Sequence, residues 1–139
     1  MVIIDSSVWI DFLNDNGTLH SAALQALVAD GSEICLTDIN LLEVLRGIRS
    51  DKQHAKVKKG LLSLPIFSAA GIGTFVRASD MYRASRKTGI TVNSSLDFVI
   101  AAIAMENDLT VLHHDADFER LAEVIPGLKT ITPQAVLGR

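Results

Sequence analysis

Residues 95–113 read SLDFVIAAIAMENDLTVLH, and this stretch decides the fold class. From Phe98 to Met105 every residue is apolar, which is typical of a helix that is buried on all sides. The spacing predicts a helix over 95–107 and a β-strand over 110–113. A buried helix followed at once by a buried strand is the repeating unit of an α/β domain with a mainly parallel sheet.

The rest of the chain alternates in the same way. Short apolar runs predict four further strands, at 2–4, 33–37, 66–69 and 128–131. Helical spacing of apolar residues predicts further helices at 8–14, 21–29, 38–49, 51–64, 73–87 and 116–124. We therefore expect a three-layer α/β domain in which helices flank a mainly parallel central sheet of about five strands.

Length and composition narrow the class of protein. The 139 residues contain no repeat and no Pro/Ser/Gly-rich linker, which predicts a single domain over residues 1–139. No apolar run approaches the roughly 20 residues that span a bilayer. With one cysteine and no signal-peptide pattern, we expect a cytoplasmic protein that does not contact membranes. The net charge of −3 argues against a protein that coats nucleic acid, but bound divalent cations would offset that charge.

Acidic residues follow two of the predicted strands. Asp5 comes directly after the first strand, and Asp115 and Asp117 come after the fourth. Ligands of parallel α/β sheets bind just outside the carboxyl ends of the strands, so these carboxylates occupy candidate site positions. Each one also fits a local role, as a turn residue, a helix N-cap or a partner of the helix dipole.

Two further acids lie on predicted helices. Glu43 faces away from the apolar stripe of its helix, where it would contribute to a site or pair with Arg46 one turn later. Asp97 borders a strongly apolar surface, where it would need a partner or would belong to a capping box that begins at Ser94. Clustered carboxylates repel each other unless cations neutralise them, and oxygen ligands suit Mg²⁺ or Mn²⁺. Such ions activate water for the hydrolysis of phosphodiesters.

Four segments together resemble the PIN-domain family of metal-dependent ribonucleases, and among them the VapC toxins of bacterial toxin–antitoxin modules. The segments are VIIDSSVWIDFL at 2–13, TDINLLEVLRG at 37–47, SLDFVIAAIAMEND at 95–108 and TVLHHDADFERLAEV at 110–124. The resemblance implies a PIN fold and an endoribonuclease that cuts single-stranded or looped RNA with Mg²⁺, for which Mn²⁺ can substitute. It also implies a homodimer and a cognate antitoxin that blocks the acidic groove.

The resemblance assigns roles to individual residues. The positions that match the family's four acidic metal ligands are Asp5, Glu43, Asp97 and Asp115. Asp117 matches an auxiliary or alternate acid, and Ser6 matches a hydroxyl that helps to order the site. Arg46 lies near the predicted site and is the candidate contact to RNA phosphates.

Two other interpretations belong to different classes. A phospho-receiver domain has a similar length and an acidic Mg²⁺ pocket, but it should carry paired acids after the first strand. Here Asp5 is followed by Ser6 and Ser7, and no Asp follows Ile66-Phe67. A PIN-like module that only binds a partner would keep the fold but cut no RNA.

Overall fold

The protein is built on a five-stranded sheet with the order β3-β2-β1-β4-β5, and every neighbouring pair is parallel. The structure is a computed structural model that describes residues 1–90, 92, 94–113 and 116–138, with the backbone alone at 116 and 117. The predicted three-layer α/β class with a parallel sheet of five strands is confirmed.

The predicted strands are all present, although most are shorter than expected. They are β1 (Val2–Ile4), β2 (Ile34–Thr37), β3 (Ile66–Phe67), β4 (Thr110–Leu112) and β5 (Lys129–Ile131). The helices are α1 (Ser6–Leu13), α2 (Leu19–Ala29), α3 (Asp38–Arg46), α4 (Asp51–Leu62), α5 (Ile72–Lys87), α6 (Ser95–Glu106), α7 (Ala116–Val124) and α8 (Pro133–Leu137).

Side chains along the strands alternate between two cores, one on each face of the sheet. Ile3 and Cys35 pack into the core that α5, α6 and α7 cover. Their neighbours Ile4 and Leu36 pack into the opposite core, which is formed mainly with α1, α2 and α4. Successive residues of a strand point to opposite faces, so a sheet with two buried faces needs continuous apolar strands. This requirement explains the unbroken VII and ICL runs.

Helix α6 is the central element of the first core. All seven residues from Phe98 to Ala104 are buried, as the apolar run predicts. The helix leads into β4 through a short turn over 107–109 and therefore runs antiparallel to the strand. Its N-terminus consequently lies at the carboxyl edge of the sheet. Of the helices in the described part of the chain, none has the length and apolar composition needed to cross a bilayer.

The structure contains one helix that the sequence analysis did not predict, α8. It begins at Pro133, and the Thr132 side chain caps it by accepting a hydrogen bond from the amide of Ala135. A Thr-Pro pair of this kind is a helix-start signal, since proline fits the first helical position. The helix packs against α2 and buries Val136 in the second core.

The strand order creates a switch point between β1 and β4. From β1 the chain builds outward through β2 to β3, then crosses back and builds outward through β4 to β5. At such a point the connections leave the two central strands in opposite directions and open a crevice at their carboxyl ends. Asp5 directly follows β1 at this crevice.

Candidate metal centre

The carboxylate of Asp5 is held at the switch point by hydrogen bonds. Its backbone amide donates to the carbonyl oxygen of Leu112 at the end of β4, at 3.0 Å. The hydroxyl of Ser7 donates to Oδ2 at 3.1 Å, and Nδ2 of Asn40 donates to Oδ1 at 3.3 Å. Asp5 is only 8% exposed. It is therefore a buried acid between the two central strands.

Glu43 is joined to this acid through Ser6 and Asn40. The Ser6 hydroxyl donates to Oε1 of Glu43 at 2.8 Å, and it accepts a hydrogen bond from Nδ2 of Asn40 at 2.9 Å. The contact links the start of α1 to a residue 37 positions later on α3. The structure thus brings together three predicted site residues, namely Asp5, Ser6 and Glu43. Arg46 lies one turn after Glu43 and is exposed.

Asn40 is a member of the site that the sequence analysis missed. Its side chain is completely buried and contacts both Asp5 and Ser6. Its Oδ1 accepts hydrogen bonds from the backbone amide and the hydroxyl of Thr37, at 3.0 and 2.8 Å. Thr37 in turn caps α3 by accepting from the amide of Asn40, at 3.1 Å. The Thr-x-x-Asn pattern that begins at the last residue of β2 was the available signal, because it marks a capped helix start.

Asp97 lies in the first turn of α6, at the same edge of the sheet as Asp5. It is partly buried, and its backbone amide donates to the carbonyl of Ser94 at 3.2 Å. The Ser94 hydroxyl caps the helix through the amide of Leu96, at 3.2 Å, in place of the Ser94–Asp97 capping box considered from the sequence.

The side chains of the remaining two predicted acids, Asp115 and Asp117, lie outside the part of the chain that the structure describes. Asp115 lies outside the described residues, and Asp117 belongs to α7 by its backbone, without a described side chain. Within the described part of the chain, no three acidic, histidine or cysteine side chains form a group that could hold a metal ion. Next to this segment, the buried ring of His113 stacks on Phe118 with the ring centroids 5.3 Å apart.

Burial raises the pKa of Asp5 above its usual value, and the negative charge of Glu43 raises it further. Hydrogen bonds from Ser7, the backbone of Ser6 and Asn40 act in the opposite direction. Among the ion pairs between described residues, none involves Asp5 or Glu43. Two linked carboxylates without a cationic side chain have the chemistry of a divalent-cation site, because hard cations prefer oxygen ligands.

The burial of Asp5 predicts a pH-dependent stability in metal-free buffer. The folded chain holds the Asp5 proton at pH values where the unfolded chain has lost it. The stabilisation that this proton gives to the folded state is complete below the ordinary pKa of 3.8, and it disappears as the pH rises through the folded-state pKa. As the pH rises, the free energy of unfolding of the wild type should therefore fall relative to that of Asp5→Asn. The fall is at most about 1.4 kcal/mol per pH unit.

Urea denaturation with chelator at a series of pH values from about 4 to 7 would measure this difference. Asp108→Asn serves as the control, because Asp108 is fully exposed and its pKa is lowered by Lys129, which is the opposite shift. A constant difference between the wild type and Asp5→Asn across the series would contradict the expectation.

Comparison with known proteins places this arrangement in a family. The family model described as PIN domain matches residues 2–124. Among curated relatives, VapC ribonuclease Mb1587 of Mycobacterium bovis is 29% identical over 125 residues, which cover 89% of this chain and 93% of the relative. Ribonuclease VapC11 of Mycobacterium tuberculosis matches with the same identity and coverage.

Solved structures share the fold. VapBC2 from Rickettsia felis, bound to a DNA fragment from its promoter, contains a chain with a TM-score of 0.72 and 19% identity, and the match covers 95% of this chain and 98% of that one. A toxin–antitoxin complex from Klebsiella pneumoniae gives a TM-score of 0.68 and 22% identity, with 96% and 98% coverage. The fold, the acidic switch point and a family match over most of the chain agree, and the protein belongs to the PIN domain family.

Proposed function

We propose that this protein is a divalent-metal-dependent endoribonuclease and the toxin of a toxin–antitoxin pair. The observation that carries the proposal is the buried Asp5 carboxylate, linked through Asn40 and Ser6 to Glu43 at the switch point of a PIN domain. The similarity to VapC ribonuclease Mb1587 and Ribonuclease VapC11 supports the same activity. The reaction would be hydrolysis of phosphodiester bonds in single-stranded or looped RNA.

Asp5 and Glu43 would hold the cation, together with Asp97 from the same edge of the sheet and Asp115, which follows β4 in the sequence. Mg²⁺ is the proposed ion, and Mn²⁺ would substitute, since both prefer oxygen ligands. When bound, such an ion makes water more acidic and stabilises the negative charge that develops on a phosphodiester. Asp117 is proposed as an auxiliary or alternate acid.

The residues of the chain would orient this chemistry. Ser6 fixes one oxygen of Glu43, and Ser7 fixes one oxygen of Asp5, so neither carboxylate rotates freely. The burial of Asp5 limits the water that competes for its oxygens. Arg46 is exposed on the helix that carries Glu43, where its guanidinium would contact RNA phosphates.

Two protein partners belong to the proposal. A cognate antitoxin would place a segment in the acidic groove, with a basic side chain facing Asp5 and Glu43. The solved structures with a similar fold are VapBC and toxin–antitoxin complexes, which supports this partner. A homodimer is proposed through the outer face of α5, where Ile72, Phe75 and Val76 are all more than half exposed. A protein that cuts cellular RNA would act in the cytoplasm.

The activity is tested by incubating the purified protein with a mixed RNA pool. Cleavage is expected with Mg²⁺ or Mn²⁺, is expected to stop when a chelator is added, and is expected to be lost in Asp97→Asn. Circular dichroism would verify that the variant is folded, and mass spectrometry would verify that no antitoxin has co-purified. Cleavage that persists in chelator or in the variant would contradict the proposal.

The same assay separates the proposal from the remaining alternative. A PIN-like module that only binds a partner would cut no RNA in any buffer, although it would keep the fold. The phospho-receiver interpretation is not retained, because the family match covers residues 2–124.

A further inference from the structure

The side-chain amide of Asn40 makes all four of the hydrogen bonds available to it. Its oxygen accepts from the backbone amide and the hydroxyl of Thr37, and its nitrogen donates to Asp5 and Ser6. The oxygen and nitrogen of an amide are distinguished by their partners. Because a backbone N–H can only donate, the contact to Thr37 fixes the orientation of the amide. The nitrogen must therefore face the site.

This orientation determines the direction of the next hydrogen bond. Ser6 accepts a proton from Asn40, so its own hydroxyl proton is left for Glu43. The two hydrogens of one amide nitrogen thus act on both acids, on Asp5 directly and on Glu43 through Ser6. Both carboxylates remain acceptors, which is the state in which carboxylates bind cations.

We propose that Asn40 is a positioning residue that holds Asp5 and Glu43 in the geometry that a divalent cation requires. The inference rests on the proposed function and extends it to a residue outside the acidic set. Residues that orient metal ligands through hydrogen bonds contribute to metal affinity, and their substitution typically lowers that affinity by about 10- to 100-fold. Asn40 has the features of such a residue, since it is fully buried and touches one acid and the hydroxyl bound to the other.

A purely local role is the competing explanation. Asn40 and Thr37 form the capping box of α3, and this cap alone would account for a buried asparagine. The two roles use different atoms. The cap uses the backbone amide and Oδ1 of Asn40, whereas the contacts to the site use Nδ2. Substitutions on either side of the capping box can therefore separate them.

The test is calorimetric titration of Mn²⁺ into the full, metal-free chain, which needs no RNA cleavage. Asn40→Ala removes the Oδ1 half of the capping box and the donor to the site together, and it keeps the backbone amide that Thr37 caps. Thr37→Val removes the hydroxyl of the cap and leaves the backbone amide of residue 37, which still orients Asn40. We expect Asn40→Ala to weaken Mn²⁺ binding by about 10- to 100-fold. Thr37→Val should stay within about threefold of wild type, although both variants unfold at lower denaturant concentrations.

A second variant at the same position keeps the inference testable if Asn40→Ala does not fold. Asn40→Ser keeps a small polar group beside Thr37, but its hydroxyl ends where the amide carbon of asparagine lies and has no second donor for Asp5 and Ser6. It should show the same loss of affinity as Asn40→Ala. Wild-type affinity in a folded Asn40 variant would overturn the inference, as would equal losses in Thr37→Val. If the wild-type chain itself binds no Mn²⁺, the proposed function falls together with the inference.

Discussion

Asp5→Asn is expected to lower the rate of metal-dependent RNA cleavage by about a thousandfold or more, while the chain stays folded. Asp5 is the most buried of the acids at the switch point whose side chains are described, and it connects β1, α1 and α3. A catalytic cation contributes several kcal/mol to the stabilisation of the transition state. The loss of about 4 kcal/mol corresponds to a thousandfold change in rate. Asparagine has nearly the same shape but lacks the negative charge that would hold the proposed ion.

Cleavage of a defined RNA by wild type and variant, at saturating Mn²⁺ and with the folded fraction measured by circular dichroism, would give this ratio. Asp108→Asn is the matched control. Asp108 lies at the opposite edge of the sheet, before β4, and adopts a φ of 54°, which asparagine also tolerates. The control removes the same charge from an exposed position and should cut at the wild-type rate. A folded Asp5→Asn that cleaves within tenfold of wild type would remove Asp5 from the site.

Ile103→Ala is expected to have the largest effect on stability, lowering the free energy of unfolding by about 2–5 kcal/mol. Ile103 is completely buried in α6, which packs against both β4 and α5. Alanine would leave a cavity in this core in addition to losing buried apolar area. Domains of this size have a total stability of about 5–15 kcal/mol, so the variant would keep only part of it.

Denaturant unfolding followed by circular dichroism would measure this loss. Leu42→Ala removes the same number of carbon atoms at a position that is 64% exposed and outside the proposed dimer interface, and it should alter the free energy of unfolding by less than about 0.5 kcal/mol. Equal losses in the two variants would mean that burial does not control the cost of the substitution.

Much of the fold follows from local patterns in the sequence. The apolar run at Phe98–Met105 predicts the buried helix α6 because no polar face interrupts it. The β-branched run at 2–4 predicts a strand with two buried faces. Helix α8 was missed because it spans only five residues, too few for an apolar period to be visible, and its position depends on packing against α2. Its Thr-Pro start was the one local signal.

Less of the candidate site than of the fold could be predicted from the sequence. The strand-end rule predicts Asp5 as a site position, because the end of β1 is defined by the sequence around it. Asn40 lies on the polar side of α3, and polar faces of helices usually contact water, so its spacing alone does not predict a buried site residue. The structure turns that face toward the end of β1, so Asn40 is buried against Asp5 and Ser6. The contact depends on the direction of α3 relative to β2, which local sequence patterns do not predict.

The pairing of β1 with β4 has a consequence for the synthesis of the chain. Val2 pairs with Thr110 and Ile4 with Leu112, so the strand that precedes Asp5 gains its second neighbour only after more than a hundred further residues have been made. At translation rates of about 5–20 residues per second, this delay is on the order of ten seconds. Until then Leu112 cannot accept the hydrogen bond from the Asp5 amide. A nascent chain or a fragment that stops before β4 therefore has no assembled acidic centre, and the nuclease activity proposed for this protein would begin only after β4 has been made.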